Sequence, residues 1–314
     1  MIIGAGMAGL SCARHLADMG LAPALIDKGR GPGGRMAARR VTIAGADVSF
    51  DHGAQYFTAR DPSFCALVGD WQASGVVARW PEAGDDAFVG TPGMNGPLKA
   101  MAQGSPVRWG VRALNLTREH AGWRVTTDAG EITARTVLVA APAEQACELL
   151  NAAAPDLAAI AVGIRSAPCW AVLAAFEHAL PLAQSVWRSA GAISWAARNA
   201  SKPGRARVES WVIHASEVRS RELLDRPKEE VAALLLEDFR KMTGLASLPP
   251  YLHRDAHRWL YALPAVVPGE AARFDTTARI GIAGDYLHSP RVEGAWVSGR
   301  MLAQAVLGAS ASDA

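Results

Sequence analysis

Ile2 and Ile3 open the chain as an apolar pair that stops at Gly4, and from Leu10 to Met19 the apolar residues fall on one stripe of a helix. A second apolar run, Ala24-Leu25-Ile26, ends at Asp27. The pattern therefore predicts strand, tight turn, helix and strand. Residues 28–36 (KGRGPGGRM) are too rich in Gly and Pro for regular structure and are read as a loop. Val41 to Phe50 alternates like a hairpin with its turn near Ala44-Gly45. Asp61 to Ala73 reads as a helix with Asp61 as N-cap and Pro62 at its first position. Short strands follow at Val76–Trp80 and Ala87–Val89, and after the break at Pro92–Gly96 a helix runs from Pro97 to Ala102. Val107–Trp109, Val111–Leu116, Trp123–Thr127 and Thr133–Val139 read as a β-meander. The last of these is almost uniformly apolar, as a central parallel strand buried on both faces is, and it is expected in one sheet with the first two strands.

From Ala143 to about Thr276 the opening pattern does not recur. Cys169–Glu177, Arg207–His214 and Leu252–Ala262 read as strands, and Lys228–Met242 is the clearest helix. These predict a second domain built on an antiparallel sheet. Ala278–Ala283 then returns as a buried strand closing on Gly284-Asp285, followed by a helix that begins in residues 292–299 and runs to Leu307. The expected fold is α/β: a discontinuous Rossmann-type domain with a parallel sheet plus β-meander (1–63, 94–143 and 277–314), and a second α+β domain with an antiparallel sheet (64–93 and 144–276).

Chemistry enters at the first turn. Gly4, Gly6 and Gly9 spell G-x-G-x-x-G between strand and helix: Gly4 allows the turn, Gly6 lets a pyrophosphate approach the backbone, and Gly9 lets helix and strand pack closely. The helix N-terminus presents free N–H groups to phosphate. Asp27 stands where an acid hydrogen-bonds a ribose 2′-OH. This reads as dinucleotide binding without separating FAD from NAD. The next loop is either a flexible crossover or a backbone lying flat against a ligand with Arg35 reaching phosphate, and its G-G-R resembles the loop of the amine-oxidase-like flavoprotein superfamily, which is the first sign of FAD. The run Asp51 to Thr58 (DHGAQYFT) suits a flat ring system, with Tyr56 and Phe57 as core residues the alternative. In residues 257–262 the alternating His257, Trp259 and Tyr261 share a face, either an aromatic wall for a flat substrate or part of a core strand. Asp285, at the carboxyl end of its strand, can accept from a sugar-like hydroxyl, and the Gly294-Ala295 backbone can approach a ring.

Composition narrows the class. The chain has 314 residues, 50% of them hydrophobic and 20% charged, with a net charge of +2; neither nucleic acid nor an acidic membrane surface is an expected partner. No apolar run reaches the ~18 residues needed to span a bilayer. The four cysteines, Cys12, Cys65, Cys147 and Cys169, are scattered, with neither a C-x-x-C nor histidine partners at metal spacing, so no metal is expected. The expected location is a reducing, cytoplasmic compartment. Met1 stands three residues before Gly4, so the first strand is shorter than the usual five or six residues, leaving open whether the true start lies upstream of Met1.

Together the segments 4–10 (GAGMAGL), 31–36 (GPGGRM), 50–60 (FDHGAQYFTAR), 92–95 (PGMN), 257–262 (HRWLYA) and 284–300 (GDYLHSPRVEGAWVSGR) resemble bacterial renalase-type flavoproteins of the amine-oxidase-like superfamily. The resemblance covers essentially the whole chain, with a slightly longer first strand in the family. It implies a p-hydroxybenzoate hydroxylase-like fold, non-covalent FAD, and oxidation of 2- and 6-dihydro-NAD(P) isomers to NAD(P)+ with O2 reduced to H2O2. It puts Gly4, Gly6 and Gly9 on the pyrophosphate with Met7 and Ala8, Asp27 on the adenosine ribose beside Lys28, and Arg35 by the phosphates between Gly34 and Met36. Val111 would meet adenine through its backbone. Gln55, Tyr56 and Phe57 would lie near the flavin ring, and Asp285, Gly294 and Ala295 would hold ribitol and isoalloxazine, with Ala141 and Gly284 also lining the cofactor. Gln55, Tyr56, His257, Trp259 and Tyr261 are the candidate catalytic residues.

The chemistry fits a sequence in which no nucleophile–base constellation can be picked out. A dihydronicotinamide becomes aromatic by giving up hydride, so the protein's task is apposition in a water-excluding pocket. Two alternatives stand beside this one. A flavin amine oxidase often places a lysine near the flavin N5, whereas Lys202 and Lys241 fall in a loop and a helix outside the candidate strands, and no cysteine follows Cys169 to attach a flavin. A flavin-bound redox sensor without turnover is the other.

Overall fold

Gly4, at φ +100°, turns the chain between β1 (Ile2–Ile3) and α1 (Met7–Asp18). A Cβ on Gly4 would lie 2.5 Å from the Ala140 carbonyl oxygen, and one on Gly9 would lie 1.8 Å from the Gly4 oxygen. No side chain fits at either position, so α1 packs directly on the strand ends. The computed structural model describes residues 1–312. β2 (Leu25–Asp27) pairs parallel with β1 in the register Ile2↔Leu25. β3 (Ala38–Ile43) and β4 (Ala46–Asp51) form the expected hairpin, its turn made by Ala44 and Gly45, both at positive φ. α2 (Pro62–Ala73) starts as the sequence implies, with Asp61 accepting from the Ser63 and Phe64 N–H groups. β5 (Val77–Arg79), β6 (Phe88–Gly90) and α3 (Gly96–Ala102) follow. Phe64, Trp71, Val77, Trp80 and Phe88 of this stretch share a core with Ile2, Leu10 and Leu98.

The meander differs from its expected form in two places. β7 (Val107–Trp109) pairs with β2 in the parallel sheet. The expected strand Thr133–Val139 is two strands in two sheets. β8 (Ala113–Glu119), β9 (Gly122–Thr127) and β10 (Gly130–Ala134) make an antiparallel sheet of three, and after Arg135-Thr136 the chain enters β11 (Val137–Val139). Burial separates the two: β10 is partly exposed along its length, whereas β11 is buried throughout and pairs parallel with β1.

α4 (Ala143–Leu150) and α5 (Pro155–Val162) cover the opposite face of the parallel sheet from α1. The next sheet has the order β13-β14-β15-β12-β16 and is antiparallel as expected, with β12 (Ala167–Phe176), β13 (Val186–Arg188), β14 (Ile193–Arg198), β15 (Ser210–Ala215) and β16 (Tyr251–Leu263). α6 (Glu217–Glu222) leads into α7 (Lys228–Thr243), whose Val231, Leu235 and Phe239 pack on one face of this sheet. Phe50 and Val48 of the hairpin pack on the other, against Leu173 and Val212. β17 (Ala272–Asp275) adds antiparallel to β18 (Ile280–Ala283), closing the six-stranded order β17-β18-β11-β1-β2-β7. Residues 272–275 thus sit in this sheet, although the sequence pattern counts them with the second domain. α8 (Val292–Ser312) lies on α1, and it is longer than the expected helix. Among the described residues no helix is long and apolar enough to cross a membrane.

Candidate functional site

The first glycine-rich turn packs tightly at Gly4 and Gly9 and is open at Gly6. At Gly6 an added Cβ would meet no protein atom within 4 Å. Gly34, at φ +48° in a short 3-10 turn with Arg35 and Met36, comes so close that its Cβ would touch the Gly6 Cα at 3.6 Å. The two loops therefore face each other across bare backbone. Met7, Ala8 and Gly9 are the buried first turn of α1, and Ala141 follows β11 beside Gly4. Asp27 accepts from the N–H groups of Ala5 and Gly29, each at 2.6 Å, which leaves lone pairs for a ribose. The Val111 N–H is bonded to the Asp27 carbonyl at 2.9 Å, and the pKa of nearby Lys28 is lowered by partial desolvation and by Arg112.

Head and tail of the chain meet here. Arg35 binds Asp285 in a two-pronged ion pair, Nη1 and Nη2 reaching the two carboxylate oxygens at 2.8 and 2.6 Å. Ser11 donates to the Trp296 carbonyl at 2.7 Å, and a Cβ on Gly299 would lie 2.0 Å from the Ala8 oxygen. The Gly284 N–H donates to Ser298 at 2.8 Å. Gly294 has a packing reason of its own, since its Cβ would fall 2.1 Å from the Ser289 oxygen, and Ala295 is buried in the core.

A buried charge cluster lies at the end of β4. Asp51 is inaccessible and accepts from the Met94 N–H at 2.8 Å, Arg205 Nη2 at 2.5 Å and Lys202 Nζ at 3.2 Å. Burial alone would raise the Asp51 pKa, but Lys202 and Arg205 hold it below the usual value. Burial lowers Lys202 to about 8 against the pull of Asp51. The Lys202 ammonium also donates to Gln55 Oε1 at 3.1 Å, while Gln55 Nε2 donates to the carbonyls of Gly53, at 3.1 Å, and Asp51. The Gln55 amide is held from both ends. Lys202 thus belongs to this site although it leaves the chain from the loop where the sequence placed it; Lys241 is exposed on α7.

Two aromatic groups flank Gln55. On one side His52 stacks on Trp259 at 5.2 Å and meets the edge of His257 at 4.8 Å, and Trp259 Nε1 donates to the His52 carbonyl at 2.8 Å. On the other Tyr56 stacks on Trp195 at 5.5 Å, with Trp80 edge-on to Trp195. Phe57 is buried in the core against Phe88 and Phe64. Tyr261 parts from His257 and Trp259: between the Ala167–Leu263 and Cys169–Trp259 pairs one residue of β12 faces three of β16, a bulge that interrupts the register at Tyr261. Tyr261 lies instead near Glu148 and Glu144, which with burial raise its pKa.

Burial lowers three of the surrounding histidines: His52 to about 3, with His257 adding to the effect; His214 to about 4, beside Lys202; and His257 to about 4, beside Arg39. Each folded-state pKa lies below the ordinary 6.5. Their stabilising contribution is therefore complete above about pH 6.5 and lost as pH falls towards 4 and 3. We expect the denaturant midpoint to fall steadily between about pH 7 and pH 5; a flat midpoint would show that these rings are charged in the fold.

Arg205, His214 and Trp195 carry no local sequence signal. Gln55 is flagged by its own motif, but its partner Lys202 is 147 residues away.

Residues 2–70 match the NAD(P)-binding Rossmann-like domain, and residues 77–307 match the model for flavin containing amine oxidoreductases. The chain belongs to the flavin-containing amine oxidoreductase family. Its cofactor is FAD. Solved structures share the fold. A proposed protoporphyrinogen oxidase from Exiguobacterium sp. 255-15 is 13% identical with a TM-score of 0.77, covering 97% of both chains. Putrescine oxidase, solved with putrescine bound, is 14% identical at 0.71 over 98% of both. Cyclohexylamine oxidase from Brevibacterium oxydans IH-35A is 11% identical at 0.67, over 100% of this chain and 99% of its own. The open backbone at Gly6, the acceptors left on Asp27 and the Arg35–Asp285 pair fit such a cofactor in donor set and shape.

Proposed function

We propose that this family member is a renalase-like oxidase that converts 2- and 6-dihydro-NAD(P) to NAD(P)+, the balance being dihydro-NAD(P) + O2 + H+ → NAD(P)+ + H2O2. In this reading residues 4–9 would hold the pyrophosphate, Asp27 the ribose, Arg35 the phosphates and Asp285 the ribitol, with Gln55 and Tyr56 towards the ring. The antiparallel sheet would form the substrate side of a discontinuous, p-hydroxybenzoate hydroxylase-like arrangement. FAD, when bound, supplies a two-electron acceptor that O2 reoxidises.

The observation that carries the reading is the His52–Trp259–His257 group. It is an aromatic cluster, His52 stacked on Trp259 with His257 edge-on to both, whose histidines burial keeps uncharged at neutral pH. A flat, neutral dihydropyridine gains contact there and needs no base, because it aromatises by losing hydride alone. The nearby charges include Lys202 and Arg205 against the one carboxylate Asp51, and Arg39 paired with Asp255 beside His257, a net positive set that disfavours an alkylammonium ion. Gln55, bonded through both ends of its amide, cannot swing and so fixes one edge of the site.

One observation favours a second reading, an amine oxidase: Lys202 reaches Gln55 beside the stacked Tyr56–Trp195 pair. Anaerobic mixing of the FAD-loaded protein with 6-dihydro-NAD, putrescine or cyclohexylamine separates the two. We expect rapid bleaching of flavin absorbance by 6-dihydro-NAD and none by the amines. Bleaching by an amine alone would transfer the case to the second reading, and bleaching by none would end both.

A further inference from the structure

A cleft of about 600 Å³ opens beside β16 where α7 begins. Four cations line it, Arg39, Arg226, Lys228 and Arg258, with one carboxylate, Asp225. Two of these cations share one acid, Lys228 Nζ lying 2.9 Å from Asp255 with Arg39 closer still, and Lys228 also has the largely exposed Glu229 at 4.0 Å. Arg258 faces Asp225 at 3.6 Å, where the Asp225 side chain is 94% exposed. Arg226 pairs with Glu230, one turn into α7, with both side chains exposed. Exposed pairs of this kind contribute little, and a multiply charged oxyanion that engages several cations at once displaces them. The N-cap of α7 is Pro227, which offers no side-chain acceptor to the first N–H groups of the helix, although Glu229 and Glu230 in its first turn offset part of the dipole.

The cleft adjoins the candidate site through one residue. His257 lines it, sits 4.5 Å from the Trp259 ring and 4.8 Å from that of His52, and has Arg39 Nη2 at 3.4 Å from its Nδ1. The cations come from separate parts of the chain: Arg39 from β3, Arg226 and Lys228 from the turn before α7 and its first residue, and Arg258 from β16. They therefore surround a volume instead of lining a stripe, which suits two adjacent phosphates better than one.

From this placement we infer that the cleft seats the diphosphate of a dinucleotide donor whose nicotinamide end occupies the neighbouring aromatic site. The inference rests on the dihydro-NAD(P) reading for the donor and goes beyond it by assigning the phosphate half to Arg39, Arg226, Lys228 and Arg258. Specificity for a dinucleotide would then lie outside the flavin pocket, on the edge strand of the antiparallel sheet.

Two measurements on the FAD-loaded protein test this. In the first, ADP is titrated calorimetrically at low salt into the wild type, into Arg226→Ala and into the double variant Arg226→Ala, Arg258→Ala. We expect binding that weakens about tenfold in the double variant, the scale of one or two lost charge-assisted bonds. Absent binding, or equal binding to all three proteins, overturns the inference. In the second, flavin bleaching by 6-dihydro-NAD is compared with bleaching by 1-methyl-1,6-dihydronicotinamide, which carries no phosphate. The advantage of the dinucleotide over the truncated donor is expected to shrink about tenfold in the double variant, through KM. An unchanged ratio overturns the cleft while leaving the oxidase reading intact, whereas failure of both donors to bleach the wild type removes the oxidase reading and leaves ADP binding to decide the cleft.

Discussion

Asp51→Asn is expected to cost the protein about 3–5 kcal/mol, the scale measured when one partner of a buried ion pair is removed. The side chains of Asp51, Lys202 and Arg205 are essentially inaccessible to water, and the Asp51 carboxylate answers both cations. An asparagine keeps the shape and can still accept from the Met94 N–H, but it leaves two charges in the interior with no counter-ion. Lys202→Met is the informative control, because it removes one cation and leaves the Asp51–Arg205 pair at 2.5 Å, so its cost should be much smaller. The two variants also separate by pH. Lys202 has a folded-state pKa of about 8 against 10.5 unfolded, so its contribution is complete above about pH 10.5 and lost as pH falls through 8. The difference in stability between wild type and Lys202→Met should therefore shift in favour of the wild type from pH 8 to 10, whatever the buried Cys12, Cys169 and Tyr286 contribute to both proteins alike. Urea denaturation of both variants gives the answer. If Asp51→Asn unfolds within about 0.5 kcal/mol of the wild type, the range of an ordinary surface change, the cluster is not the ion set described.

How much of this was legible in sequence follows from range. The opening turn, the Ala44-Gly45 hairpin and the Asp61 cap are local devices whose residues state their own conformations, and all three are where the pattern puts them. The five-stranded sheet is legible as antiparallel, but β13, three partly buried or exposed residues at the far edge, and β14 beside it, whose exposed and buried positions do not alternate, are not. Thr133–Val139 misled because apolar continuity does not reveal which sheet a strand joins; the exposed Arg135 marks the change. Within the site, Asp27, Gln55, Trp259 and Asp285 could be picked out from motifs. Lys202 could not, since the four-carbon stem that carries its ammonium to Gln55 makes the position of its backbone a poor guide to the position of its charge.

The same contrast between local and distant causes separates two glycines three residues apart. Gly9→Ala should damage the fold itself. The new Cβ would lie 1.8 Å from the Gly4 oxygen and 3.3 Å from the Ala140 Cβ, so α1 must lift off the strand ends it packs on, at a cost of about 3 kcal/mol. Because α1 also carries Ala8, whose oxygen would be 2.0 Å from a Cβ on Gly299, the displacement extends to α8. Gly6→Ala should leave the protein folded. Gly6 is the N-cap of α1 at φ −78°, a conformation alanine adopts, and its Cβ meets no protein atom within 4 Å, so the cost is about 1 kcal/mol or less. What that methyl does enter is the space between the two glycine-rich loops, where the pyrophosphate of FAD would press on bare backbone. The expected result is a protein that melts near the wild-type temperature yet binds FAD about 10–100-fold more weakly, the worth of one or two hydrogen bonds to a charged group. Flavin fluorescence on titrating FAD into each variant, set beside its melting curve, reads both effects. Were Gly6→Ala to bind FAD as tightly as the wild type, the cofactor's phosphates would have to lie elsewhere, and the Arg35–Asp285 junction would be a structural clasp and not part of the cofactor's seat.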